Sequence, residues 1–201
     1  RKLLAQMPDN SVVIATVGFS TNLARLLETP ADEYSKLTGM ELVRRKVRLL
    51  SAMAGDFREG KGPEYNVRYD VPAAKKVFKE WPTPIVFSPF DVGKMILYPG
   101  ASIENDFGWA NGPHPMVEAY KAYKKMPYDR PTWDVIAAYY ACDPTAPVFQ
   151  LSEAGDIEVV GKGVTLFTPN PKGKCRILVP NETQRKQILD NFIKINSSKP
   201  R

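Results

Sequence analysis

The chain has 201 residues, 43% of them hydrophobic and 25% charged, a balance ordinary for a globular α/β protein and sufficient to bury a core. No run approaches the ~18 apolar residues of a membrane span, and no signal-peptide pattern is visible, which leaves the compartment open. The net charge of +6 is scattered over groups such as Arg44-Arg45-Lys46, Lys75-Lys76 and Lys124-Lys125, without the basic stripe and interleaved aromatics of a nucleic-acid binder. Neither nucleic acid nor a membrane is therefore expected as a partner.

In chain order, Val12-Val13-Ile14-Ala15 is a short β-rich apolar run, as expected of a strand buried on both faces. It ends at Gly18-Phe19-Ser20-Thr21-Asn22, after which Leu23, Leu26 and Leu27 take up helical spacing, with Thr21 or Asn22 as the expected cap. A second apolar stretch runs from Val47 to Met53 and meets Ala54-Gly55 and a polar loop from Asp56 to Pro63. A helix is expected from about Pro72 to Glu80, and Ile85-Val86-Phe87 is a third strand. Between Gly93 and Gly112 the periodicity weakens to loops with short helical pieces, before helices at about Met116–Lys124 and Trp133–Tyr140. Short strands at Val148–Leu151, Ile157–Val160, Val164–Phe167 and Arg176–Val179 predict a small antiparallel excursion at the sheet edge near the C-terminus. A final helix starts at Asn181, which has capping-box spacing to Gln184, and the tail after Ile195 reads as frayed.

Strands alternating with helices predict an α/β fold: an open, mostly parallel, doubly wound sheet. Opening almost directly on a buried-type strand, with few such strands following, leads to the expectation that further strands precede residue 1.

Three clusters could carry chemistry. Gly18…Thr21-Asn22 lies at the end of a strand, where open α/β sheets bind ligands, although turn and cap roles explain it better when it is taken alone. In Glu64-Tyr65-Asn66 the two polar residues alternate, so in an extended segment they share a side and can grip vicinal hydroxyls; Asp70 behind them reads as an N-cap. Arg130-Pro131-Thr132-Trp133-Asp134 opens a helix, where Asp134 suits the helix dipole or a hard cation and Trp133 suits a flat ring or the core. Cys142 and Cys175 form no disulfide framework and read as core or strand residues. His114 is the only histidine, which excludes a multi-histidine metal site.

Taken in order, these clusters resemble the nucleoside hydrolase family (inosine-uridine preferring nucleoside N-ribohydrolases). Its members show a Gly-x-x-Thr-Asn-like loop, a strand ending in Met-Gly-Gly, Glu-Phe-Asn with Asp-Pro-Glu-Ala-Ala, and a His-Asp pair opening a late helix. Here they stand as Gly18…Thr21-Asn22, Met53-Ala54-Gly55, Glu64-Tyr65-Asn66 with Asp70-Val71-Pro72-Ala73-Ala74, and Trp133-Asp134.

The resemblance implies that residues 1–201 are the C-terminal part of a single domain of that type. It implies hydrolysis of the N-glycosidic bond of a nucleoside or ribosyl compound by a Ca²⁺-bound water, in a homo-oligomer, dimer or tetramer. It assigns Asp134 as a Ca²⁺ ligand, the Val17 main-chain carbonyl as another, Glu64 and Asn66 to sugar hydroxyls, Met53 to the ribose pocket, and Trp133 to the substrate wall. The aspartate-rich motif that supplies the remaining ligands and the catalytic base is absent from these residues. It is expected upstream or on a separate chain, and the fragment alone is expected to be inactive. Trp133 replaces the family's histidine; His114 reads as a surface residue in preference to a stand-in for it, and the loop from Asp56 to Pro63 lacks the expected Gly-Asn. The alternative is a sugar- or nucleoside-binding protein on the same scaffold that has lost hydrolysis.

Overall fold

The structure, a computed structural model, describes residues 1–200. Six strands form one sheet: β1 Val12–Thr16, β2 Val47–Met53, β3 Ile85–Ser88, β6 Gly155–Val160, β7 Val164–Pro169 and β8 Cys175–Ile177, in the order β1-β2-β3-β8-β6-β7. The first four in that order run parallel, while β6 and β7 form an antiparallel hairpin at one edge. A two-stranded antiparallel ribbon, β4 Leu97–Tyr98 with β5 Arg130–Pro131, lies outside the sheet.

Alternation along the strands divides the apolar side chains between two cores, since successive residues face opposite sides of the sheet. Ile85 and Phe87 of β3 enter one core with Leu50 and Ala52 of β2, and Val86 enters the other. The first core is closed by α2 Thr21–Glu28, α3 Gly39–Lys46 and α5 Val71–Glu80, through Leu27, Leu42, Val43, Val77 and Phe78. The second is closed by α6 Phe90–Met95, α7 Gly100–Asn105, α9 Trp133–Cys142 and α10 Glu182–Asn196, through Val92, Ile103, Ile136, Ile188 and Phe192. Short helices α1 Lys2–Gln6 and α4 Tyr65–Arg68 and the surface helix α8 Pro115–Tyr123 complete the chain. This is the open, mostly parallel, doubly wound sheet with an antiparallel excursion that the pattern predicts. No helix among the described residues is long and apolar enough to cross a membrane.

Several local expectations are corrected. Strand β1 is an edge strand whose residues are mostly half-buried, paired only with β2 among the described residues, and not buried on both faces. Val148–Leu151 is not a strand: Val148 is apolar because it fills the second core, Phe149 closes a turn onto Ala146, and only Leu151 bridges to Leu178. Strand β8 belongs to the parallel part of the sheet, beside β3, and ends before Val179. Ser20, not Thr21 or Asn22, precedes α2 as its N-cap, and the Thr21 hydroxyl instead donates to Asp70, which caps α5 through Ala73 N–H. The expected capping box at Asn181 and Gln184 is present. The tail is less frayed than expected, because α10 continues to Asn196 and the Trp109 indole donates to the Ser197 carbonyl at 2.7 Å.

The two thiols also part company. Cys175 is buried in β8 and its pKa is pushed up to about 11 by that burial, whereas Cys142 is exposed at the end of α9 rather than in the core. A thiolate is the reactive form, so at pH 8 an aromatic disulfide reagent should label Cys142 in the native protein and Cys175 only after unfolding. Peptide mapping by mass reads this directly, and native labelling of Cys175 would contradict the burial.

Candidate active site

The parallel strands β1, β2 and β3 end on the same side, where the sheet meets a cavity of about 660 Å³. Val17 follows β1, Met53 ends β2, and Phe90 begins the helix after β3; all three line the cavity. Glu64, Tyr65 and Asn66 close it from one side, and Tyr123, Arg130, Trp133 and Asp134 from the other. The six residues assigned from sequence come from four separate segments, and all six share this one space.

Glu64 and Asn66 do not reach it through an extended segment. Glu64 is the N-cap of α4, and Asn66 sits inside that helical turn. The Glu64 carboxylate accepts from Asn66 N–H at 3.0 Å and from Gly55 N–H at 3.2 Å. Gly55 follows Met53-Ala54 with φ +85°, the left-handed turn that glycine adopts freely, and a Cβ there would stand 2.7 Å from the Phe57 ring. The Asn66 amide donates to the Met53 carbonyl at 3.0 Å, tying α4 to the end of β2. Its carbonyl oxygen has no hydrogen-bond partner among the described residues.

Burial pushes the Glu64 carboxyl pKa above its ordinary 4.5, against the opposing pull of the N–H groups of Asn66 and Gly55. A folded pKa above the unfolded one means that protonated Glu64 contributes stability below about pH 4.5, and that this contribution is lost as pH rises through the folded value. The stability gap between wild type and Glu64→Gln, measured by urea unfolding, should therefore move in favour of wild type as pH falls from 7 towards 4. A gap that stays flat would mean that burial does not govern this carboxyl.

Asp134 lies in the first turn of α9 with an exposed side chain. Partial desolvation at the cavity wall raises its pKa, partly offset by the charge of Arg130. Trp133 is half-buried: its ring stacks on Phe90 with centroids 5.5 Å apart, and its indole N–H donates to the Phe90 carbonyl at 2.9 Å. That bond leaves the indole no second proton to offer a ligand. His114 does not stand in for the missing histidine. It caps α8 beside Phe107 and Trp109, in a separate hollow with Glu104 and Glu118.

The oxygen chemistry of Asp134 and the Val17 carbonyl suits a hard cation. Their number does not complete a site: Ca²⁺ takes 6–8 oxygens, and no group of three or more His, Cys, Asp or Glu among the described residues could hold a metal. Sequence reasoning missed Phe90, Tyr123 and Arg130. Arg130 stood inside a quoted motif, and its charge beside a candidate ligand was the available signal.

The family model of the inosine-uridine preferring nucleoside hydrolases matches residues 1–190. The chain belongs to this family. Among solved structures, a plant nucleoside hydrolase superposes with a TM-score of 0.67 at 19% identity, covering 99% of this chain and 65% of its own. A purine-preferring ribonucleoside hydrolase from Gardnerella vaginalis gives 0.72 at 18%, covering 98% and 63%, and one from Bacillus anthracis described as inosine-uridine preferring gives 0.57 at 16%, covering 95% and 62%. At such identities these likenesses concern the fold. This member of the nucleoside hydrolase family thus spans less than two thirds of the solved structures it matches. Among curated proteins no significant sequence match is found.

Proposed function

We propose that this chain forms the ribose-holding wall of an enzyme that hydrolyses the N-glycosidic bond of a nucleoside or related ribosyl compound, giving ribose and free base. What carries the reading is the convergence of Val17, Met53, Glu64, Asn66 and Asp134 on one cavity at the C-terminal ends of parallel strands, in a chain of this family. The Asn66 carbonyl oxygen and the lone pairs that remain on Glu64 accept from sugar hydroxyls, and Met53 packs against the carbon face of the ring. Asp134 and the Val17 carbonyl supply two of the oxygens of a Ca²⁺ site. Such an ion, when bound, polarises a water and fixes vicinal hydroxyls.

Among the described residues, Glu64 and Asp134 are the only carboxylates on the wall. In this reading Asp134 holds the metal and Glu64 holds the sugar and two backbone N–H groups. The base that takes the proton of the attacking water, and the other metal ligands, are therefore assigned to residues outside this chain. Departure of the nucleobase draws no proton from Trp133, whose N–H is spent on Phe90. That same observation favours a second reading, a binding protein that holds the ligand without cleaving it.

Calorimetric titration of the full-length protein with Ca²⁺, followed by ribose release from a nucleoside panel, separates them. Ca²⁺ binding with ribose release is expected. Binding without release selects the second reading, and neither would leave this family's fold without its chemistry.

A further inference from the structure

The hairpin of β6 and β7 leans on the loop that leads to Glu64. Thr165 is the polar exception on the inward face of β7, where Phe167 and, across the hairpin, Ile157 and Val159 pack into or against the first core. It is 3% exposed, and a hydroxyl so buried needs partners. Both partners belong to one residue 109 positions earlier in the chain: Thr165 Oγ1 accepts from Asp56 N–H at 3.1 Å and donates to the Asp56 carbonyl at 3.2 Å.

The Asp56 side chain takes no part, since its two oxygens accept from the Arg58 guanidinium at 2.8 and 2.6 Å. What Thr165 grips is the backbone just after Gly55. A peptide unit is planar, so the Gly55–Asp56 unit turns as one piece. Its carbonyl end accepts from Phe90 N–H at 2.9 Å, and its N–H end donates to Thr165. Gly55 sits at φ +85°, and a glycine backbone swings over a wide range unless it is held from outside. Holding this unit fixes the direction of the preceding N–H, that of Gly55, which donates to the Glu64 carboxylate at 3.2 Å. The hairpin meets the same wall again at its turn. A Cβ on Gly163, whose φ is +110°, would stand 3.1 Å from Arg68 Cα at the end of α4.

We propose that Thr165 is a positioning residue for the sugar-holding wall: its hydroxyl locks the Gly55–Asp56 peptide and, through the Gly55 N–H, aims the Glu64 carboxylate at the sugar. The inference rests on the reading of Glu64 as a sugar-holding residue. Thr165 stands behind the wall and acts only through the backbone of residue 56. Asp134 belongs to α9, which the two Thr165 bonds do not reach. Sugar affinity and Ca²⁺ affinity therefore respond separately to the loss of this hydroxyl.

Two variants of the full-length protein rank in opposite order for the two roles open to a buried threonine. Thr165→Val keeps the shape and removes the hydroxyl, whereas Thr165→Ser keeps the hydroxyl and removes a methyl group. Were packing its only role, valine would be the milder change. For a positioning residue valine is the damaging one. The KM for the best-cleaved nucleoside of the panel should rise about tenfold in Thr165→Val, with kcat within about threefold of wild type and calorimetric Ca²⁺ affinity unchanged. Thr165→Ser should stay within about threefold of wild type in KM. Ile157→Ala, in the same hairpin, truncates the core and lowers the thermal midpoint, and should leave KM where it is.

An unmoved KM in Thr165→Val, an equal rise in Thr165→Ser, or an equal rise in Ile157→Ala would each overturn the proposal and leave the hydrolase reading standing. A Thr165→Val chain that does not fold would overturn it too, because the hydroxyl would then serve the fold as a whole. If wild type releases ribose from no nucleoside, the hydrolase reading falls, and the same ranking is read from calorimetric dissociation constants for inosine and uridine. Binding weakened about tenfold in Thr165→Val and preserved in Thr165→Ser keeps the positioning role without the hydrolase. Equal affinities, or no binding by wild type, remove it.

Discussion

Asp134→Ala in the full-length protein is expected to lower ribose release by about 10³-fold or more, roughly 4 kcal/mol of lost transition-state stabilisation, and to abolish Ca²⁺ binding. Folding should hardly register the change. Asp134 is exposed and makes no side-chain hydrogen bond to its own helix, and Thr132, the N-cap residue, gives α9 no side-chain cap either. A carboxylate in that position contributes about 0.3–1 kcal/mol through the helix dipole, worth only a few degrees in thermal midpoint for a chain of this size. The two roles thus differ in which measurement moves. Asp134→Asn retains one oxygen ligand without the charge and should fall between wild type and alanine in Ca²⁺ affinity. A lowered midpoint with unchanged turnover would reduce Asp134 to a dipole residue and take the metal assignment with it.

The parts of the site that were legible in the sequence are those whose chemistry is local. Met53-Ala54-Gly55 and Glu64-Tyr65-Asn66 are contiguous, and their contacts with each other, Gly55 N–H to Glu64 and Asn66 to the Met53 carbonyl, span only 9 and 13 residues. Trp133-Asp134 was legible from its place at a helix start, but the fate of the indole N–H depends on Phe90, 43 residues away, which no spacing announces. Tyr123 and Arg130 come together across an irregular loop, so their shared role on the wall emerges only in three dimensions.

For the fold, period and caps carried most of the information. The continuous apolar run Ile85-Val86-Phe87 marks a strand covered on both faces, and Asn181 with Gln184 marks the last helix. An apolar run without period misled at Val148–Leu151, since a loop pressed into the second core needs the same residues as a strand. Helix α3 went unread although Thr38 and Glu41 form a capping box, because Arg44-Arg45-Lys46 mask the short apolar pair Leu42-Val43.

Gly93→Ala probes the contact that sets the front of α9. Gly93 is buried within α6, and a Cβ there would stand 2.3 Å from Cδ1 of Trp133 and 2.5 Å from its Cα. The Gly93 carbonyl also accepts from Thr132 N–H at 3.1 Å, so the two segments touch through backbone on both sides. Alanine gains about 1 kcal/mol of helix propensity over glycine. That gain is outweighed, because overpacking costs about 1–3 kcal/mol even where side chains can yield, and the obstacle here includes backbone.

A net loss of about 2 kcal/mol is expected, or a midpoint lowered by roughly 5 °C. The displaced residues would be Trp133 and Asp134 themselves. A shift of about 1 Å in a metal or substrate ligand is enough to cost ~10²-fold in turnover. Gly108→Ala is the matching control, since a Cβ there meets nothing within 4 Å, and both stability and activity should stay close to wild type. If Gly93→Ala behaves like Gly108→Ala, helices α6 and α9 are not in backbone contact, and the bond from Trp133 to Phe90 loses its structural basis. If it loses activity far beyond its stability, the α6–α9 contact is what holds Asp134 at the cavity.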